Sequence, residues 1–187
     1  MTDWLPRHRI SANEYHRMGE LGFFGPEERV ELIDGQVIDM APIGLPHMAA
    51  VDRLTRVFVR TLGESAIVRI QGSVTIEEFS EPQPDLTVLK PRDDFYRTRY
   101  ANASDTLLVI EVSDTTWRYD RHVKLPLYAR CGIPEFWIVD VQRGALHRFH
   151  GPSADGYAES TSTESPGVTP IRALPDFTVN LSGLFAS

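Results

Sequence analysis

The residues most able to do chemistry in this sequence are carboxylates set against apolar runs. Asp85 opens a strand-like run after Pro84, and Glu111 follows directly on Leu107-Leu-Val-Ile110, so a carboxylate continues a stretch built for burial. If the two runs pair as antiparallel neighbours, the start of one meets the end of the other and the carboxylates stand side by side. Such a pair repels itself unless it shares a proton or a cation. Oxygen-only ligands of this kind suit Mg2+ or Mn2+, which keep waters and accept phosphate oxygens. Shortly after Glu111, Asp120, Lys124 and Tyr128 recur at intervals of four, the spacing of one helical face. A lysine reaching back over the sheet end would hold a scissile phosphate or orient a hydrolytic water. The bland alternatives are a solvated acidic strand cap and an exposed ion pair worth only about 0.3–0.5 kcal/mol.

Positioning these groups requires strands and helices that the sequence marks out in turn. Ser11-Ala-Asn-Glu14 has the form of a capping box, and Gly22 ends the short helix it opens. Two strand-like runs, residues 29–33 and 36–40, flank Asp34-Gly35, the dipeptide suited to a type I′ turn. In that hairpin Val30, Leu32, Ile38 and Met40 are assigned to shared faces, with Glu31 and Ile33 pointing the other way. Over residues 47–62, Val51, Leu54, Phe58 and Leu62 recur at three or four residues, which makes an amphipathic helix ended by Gly63. Strands are expected at 66–70, 73–77, 85–89, 106–112 and 136–140, and a helix at 117–129 before Gly132. Pro126 is awkward inside that helix, where it costs roughly 3 kcal/mol unless it falls in a first turn. Beyond Asp140 the expectation is a hairpin to residues 146–149, a Ser/Thr/Gly/Pro-rich loop over 151–170, and a peripheral strand and half-helix over 177–185. No repeat or long linker divides the chain, so the expected fold class is α/β, one mixed sheet flanked by helices. Its single domain would span residues 1–187, with a core over about 11–140 and a peripheral tail over 141–187.

Composition narrows the function. The chain has 187 residues, 42% hydrophobic and 24% charged, with 19 basic and 26 acidic side chains giving a formal net charge of −7. A disordered chain and a generic basic nucleic-acid-coating protein are both excluded. No apolar run reaches the length of a membrane helix and no signal core opens the chain, so the expected location is the cytoplasm, away from membranes. The single cysteine, Cys131, lacks the neighbours of a zinc or redox motif. Residues 90–130 hold eight basic and six acidic side chains, a locally positive stretch in an acidic chain. Arg92, Arg97 and Arg99, in the loop between the two acidic strands, are candidates for phosphate contact, against the plain alternative of a solvated loop.

Several blocks then occur in one order: Glu31-Leu-Ile-Asp-Gly35, Pro42 with His47, Gln83-Pro-Asp-Leu-Thr-Val88, Leu108-Val-Ile-Glu-Val-Ser113, Asp120-Arg-His-Val-Lys124, Leu127-Tyr-Ala-Arg130 and Gly132-Ile-Pro-Glu-Phe-Trp-Ile-Val-Asp140. Together they strongly resemble the Uma-type restriction endonuclease family, a branch of the PD-(D/E)XK nuclease superfamily. The resemblance implies a restriction endonuclease-like fold with Mg2+ or Mn2+ at Asp85 and Glu111, and with Glu31 reaching the same metal. The superfamily lysine normally sits two residues after the second acid, where this chain has Ser113. The resemblance implies a lysine moved to the next helix, and Lys124 matches it; His47 matches the family's histidine. The implied catalytic set is therefore Asp85, Glu111 and Lys124, with Glu31, His47, Ser113, Asp120 and Tyr128 in support. Alanine at Asp85, Glu111 or Lys124 is expected to abolish cleavage while leaving the fold intact. The implied function is a Mg2+-dependent endonuclease acting on nucleic acid, with DNA as the expected partner. A homodimer is also expected, with Phe23, Phe24 or Trp137 lining its interface or else its core. The competing reading is a catalytically inactive nuclease-fold interaction protein serving as a dimeric partner.

Overall fold

The computed structural model describes residues 6–186. Helix α1 (Ala12–Glu20) starts at Ser11, whose hydroxyl accepts from the Glu14 amide while the Glu14 carboxylate accepts from the Ser11 amide. The hairpin β1 (Val30–Ile33) and β2 (Gln36–Asp39) turns on Asp34 and Gly35, both at positive φ as a type I′ turn demands. That two-residue turn fixes the register, and it pairs Leu32 with Val37 and Glu31 with Ile38. Ile38 therefore shares a face with Glu31 rather than with Leu32, a correction to the expected sidedness. Directly opposed residues of an antiparallel pair project to the same side.

Helix α2 (Leu45–Leu62) ends at Gly63 and leads to β3 (Ile67–Ile70), then β4 (Leu86–Leu89) and β5 (Thr106–Ser113). The run 73–77, expected as a strand, makes only the isolated bridges Thr75 to Asn102 and Glu77 to Ser80. Its alternation reflects burial of Val74 and Ile76, but no neighbouring strand runs beside it.

A short helix α3 (Trp117–Tyr119), a π-helical turn (Asp120–Lys124) and α4 (Leu125–Arg130) connect β5 to β6 (Glu135–Asp140). The expected single helix is thus interrupted, and Pro126 supplies the reason. The π turn lets α4 restart just before the proline, which falls in a first turn where its missing N–H costs little. The helix closes with Gly132 at φ 75°, its N–H donating to Ala129 O while Ile133 N–H donates to Tyr128 O, a Schellman ending.

Strands β7 (Ala145–Ser153), β8 (Gly156–Thr163), β9 (Val168–Ile171) and β10 (Leu174–Asn180) complete the chain. The segment 151–170, expected as a loop, holds most of β8 and β9. Its Ser/Thr-rich composition belongs to a sheet edge, where β8 is largely solvent-facing and needs no apolar pattern.

The main sheet runs β3-β4-β5-β6-β7-β8, and every neighbouring pair is antiparallel except β5 with β6. That one parallel pair requires a crossover, so the chain after Glu111 must travel back over the sheet as α3, the π turn and α4. Strand alternation separates two cores. Leu108, Ile110, Val112, Trp137 and Val139 pack with Leu54, Phe58 and Leu62 of α2. Val109, Phe136 and Ile138 pack with Leu125, Leu127 and Tyr128 of α4. Trp137 is fully buried against Phe58, with ring centroids 5.7 Å apart, so it belongs to the core; Phe23 remains exposed. Among the described residues no helix is long and apolar enough to cross a membrane.

Candidate functional site

Leu86 pairs with Ile110 in the β4–β5 ladder, which places Asp85 beside Glu111 at one end of the sheet. By alternation Glu111 lies on the Val109 face, beneath the crossover, and there Lys124 and Tyr128 reach it. Lys124 Nζ stands 2.9 Å from Glu111 Oε1 and 3.1 Å from Glu31 Oε2. Tyr128 OH donates to the same Glu111 Oε1 at 2.7 Å, which leaves Oε2 outside these bonds. Glu31 accepts from Tyr119 OH at 2.9 Å and from the Gln83 amide at 3.0 Å. Asp120 Oδ2 accepts from Ser113 Oγ at 2.6 Å and Thr116 Oγ1 at 2.7 Å. Asp85 Oδ2 accepts from the Val112 amide at 2.9 Å and lies 3.0 Å from His47 Nε2. Its Oδ1 has only a long contact with Gln71, at 3.4 Å.

The structure thus brings together Asp85, Glu111, Lys124, Glu31, His47, Ser113, Asp120 and Tyr128. Ser113, in the position where the superfamily carries lysine, braces Asp120 instead. Arg92, Arg97 and Arg99 are not brought here. Their loop joins the far ends of β4 and β5, so it lies roughly 17 Å from Glu111 at about 3.3 Å of rise per residue. Arg92 is paired with Asp94 and Arg99 with Asp105. The sequence reading missed Tyr119, which ties the crossover to the first hairpin across 88 residues. It also missed Arg29 and Arg118, which line the cavity above the carboxylates. Proximity to Asp120 was a signal for Tyr119 and Arg118; Arg29 had none.

The charges do not balance. Glu31, Asp85, Glu111 and Asp120 are between 2% and 8% exposed, and Lys124, at 3%, is the buried ammonium among them. Burial works against the charge on Lys124, but Glu111, Glu31 and Asp120 outweigh it and hold the ammonium protonated well above the ordinary lysine range. Burial pushes the Glu111 carboxyl up to about 8; Lys124 opposes this, while Asp120, Asp85 and Glu31 add to it. Asp120 is also raised, chiefly by burial. Burial of Asp85 is outweighed by His47, the Val112 amide and Lys124, so this carboxyl stays below its usual range.

Glu111 in the unfolded chain loses its proton near 4.5 and in the folded protein near 8. Between those values the folded state binds more protons, so stability falls as pH rises through the window. Glu111→Gln keeps an acceptor for Tyr128 and Lys124 and removes the titration. Metal-free wild type is expected to lose melting temperature between pH 5 and 8 relative to Glu111→Gln, the gap being largest at high pH. Parallel thermal melts with chelator present measure this, and identical pH slopes would contradict it.

These carboxylates form the floor of a cavity of about 360 Å3, walled by the first hairpin, the chain leading into α2 and the segment after β5. The donors are hard oxygens in excess of their cations, which fits Mg2+ or Mn2+. Among the described residues, no three His, Cys, Asp or Glu side chains are drawn together as a ready-made ligand set. A cation would therefore rest on Asp85 and Glu111, completed by waters and substrate oxygens, the manner in which Mg2+ is usually held.

A mixed sheet with adjacent carboxylates at one end of an antiparallel pair, capped by a lysine-bearing crossover, defines a restriction endonuclease-like protein. The Uma2 family, described as "Putative restriction endonuclease", matches residues 12–182, and the chain belongs to that family. Among solved structures, a "putative nuclease belonging to DUF820" from Anabaena variabilis is similar, with a TM-score of 0.73 at 16% identity, covering 95% of this chain and 98% of that one. At that identity the likeness concerns the fold. The comparison with curated proteins gives no match.

Proposed function

We propose that the protein is a metal-dependent endonuclease that hydrolyses phosphodiester bonds in DNA. The observation that carries this reading is the group of four buried carboxylates around one buried lysine, opening on a cavity. A fold has little reason to bury uncompensated acids unless a cation completes them. Asp85 and Glu111 would hold one or two divalent ions, with Glu31 in reach through Lys124. When bound, such an ion supplies Lewis acidity toward the phosphoryl oxygens and the attacking water. The chain's own residues do the rest. Lys124 sets a fixed positive charge beside the reacting phosphate, where negative charge develops in the transition state. Glu111 and Glu31 fix its ammonium from two sides, Tyr128 donates to the same Glu111 oxygen, and Asp120, braced by Ser113 and Thr116, holds the start of the crossover. His47 steadies Asp85 through its Nε2.

The reading is tested by nicking of supercoiled plasmid. Conversion to open circles in Mn2+ is expected to stop with chelator and resume on adding excess Mn2+. Nicking that persists in chelator would overturn metal dependence, and no nicking under any divalent ion would overturn the activity.

A further inference from the structure

The cavity has features that a surface for gripping a continuous duplex does not need. Arg29 and Arg118 line it, yet among the described residues neither side chain has a hydrogen bond, ion pair or ring partner. Elsewhere Arg92 and Arg99 are paired with carboxylates, while Arg17, Arg56, Arg60 and Arg97 likewise have no side-chain partner among the described residues, so it is their place over an acidic cavity that sets Arg29 and Arg118 apart. Two guanidiniums left unpaired over an acidic floor are suited to an anion that arrives with the substrate, and phosphate matches their fork of donors. The lining also includes the apolar side chains of Ile38, Met40 and Ile43. Phosphate contacts are polar, so apolar side chains beside them have no partner on the outside of a paired duplex. An unstacked base does offer an apolar face. The carboxylates line a half-open cavity of about 360 Å3, a volume near the lower end of small-ligand sites and of the scale of a single nucleotide.

We propose that the cavity accepts one unstacked nucleotide of single-stranded DNA, its base against Ile38, Met40 and Ile43 and its flanking phosphate held by Arg29 and Arg118. This rests on the nuclease reading of the same site and names its substrate class. Negative supercoiling unpairs short segments, which makes a supercoiled plasmid a substrate and a relaxed one a poor substrate.

The test is fluorescence anisotropy of a short labelled oligonucleotide, single-stranded or annealed to its complement, with Ca2+ in place of Mn2+ so that binding is read without cleavage. The strand is expected to bind about tenfold or more tightly than the duplex, since the duplex must first be unstacked. Arg29→Ala with Arg118→Ala is expected to weaken strand binding by roughly 100-fold. It should also flatten the dependence of log affinity on log salt by about 0.7, the share of one phosphate on a single strand. Mn2+ affinity of the double variant should equal that of the wild type, because neither arginine touches the acidic cluster. Duplex bound as tightly as strand, or an unchanged salt slope in the double variant, would overturn the inference. Failure of the nuclease reading looks different. In that case the strand binds and depends on both arginines, but Mn2+ produces no cut.

Discussion

Lys124→Ala is expected to lose both cleavage and much of the fold's stability. The ammonium lies within 3.1 Å of two carboxylates, Glu111 and Glu31, and is 3% exposed. Removing one partner from a buried ion pair leaves the other charge uncompensated, at a cost of about 3–5 kcal/mol. Here one cation serves several acids, which places the effect at the upper part of that range. For a chain of this size the melting temperature should fall by roughly 10 °C or more. Burial of Lys124, which residue spacing does not reveal, argues against the expectation from sequence that alanine at position 124 leaves the fold intact. A second signature separates this account from ordinary core damage. Mn2+ should raise the melting temperature of Lys124→Ala more than that of the wild type, because a divalent ion replaces the missing charge. Melts with and without Mn2+ measure this, and a variant as stable as wild type in chelator would contradict the charge balance described above.

Asp85→Asn is expected to abolish metal-dependent nicking with a modest loss of stability at neutral pH, since the charge that His47 and Lys124 favour is removed. The asparagine amide keeps an oxygen for the Val112 N–H and keeps the shape of the strand entrance, so the β4–β5 ladder is untouched. What it removes is one of the two negative charges that would hold the cation. Changing groups that merely orient metal ligands costs 10–100-fold in affinity or activity, so loss of a ligand should exceed about 100-fold. Asp85 suits this test better than Glu111, since its carboxyl stays below the usual range beside His47 while that of Glu111 is raised by burial. Nicking by Asp85→Asn within a few-fold of wild type would remove Asp85 from the site.

The parts of this site that were legible in the sequence are those fixed by local rules. Adjacency of Asp85 and Glu111 follows once two runs are recognised as antiparallel neighbours, because the start of one strand then meets the end of the next. Lys124 and Tyr128 follow from spacing and from the need to cross back over the sheet. The role of Glu31 came through the resemblance, and its hairpin partner was assigned to the wrong side. Faces across a two-residue turn depend on the register, which pairs Glu31 with Ile38. The Tyr119 bond to Glu31 was beyond reach, since it forms only when a hairpin and a crossover 88 residues apart pack together. The π turn was hidden for a similar reason. Pro126 announced a difficulty in the helix but not its solution. Strand β8 was invisible because an edge strand facing water carries no apolar alternation. The arginines of the 90–105 loop attracted notice by composition, yet the ends that β4 and β5 present to that loop are not the ends that carry the acids.

On the proposed function, the buried acidic pair binds a divalent cation and this binding enables cleavage. Calorimetric titration of Mn2+ into wild type and Glu111→Ala, in one buffer, with plasmid nicking run on the same samples, tests it most directly. Saturable binding and nicking by the wild type, both absent in Glu111→Ala while its circular dichroism remains that of a folded protein, is the expected result. Absence of Mn2+ binding to the folded wild type would contradict the account, and the excess carboxylates would then be held by protons alone.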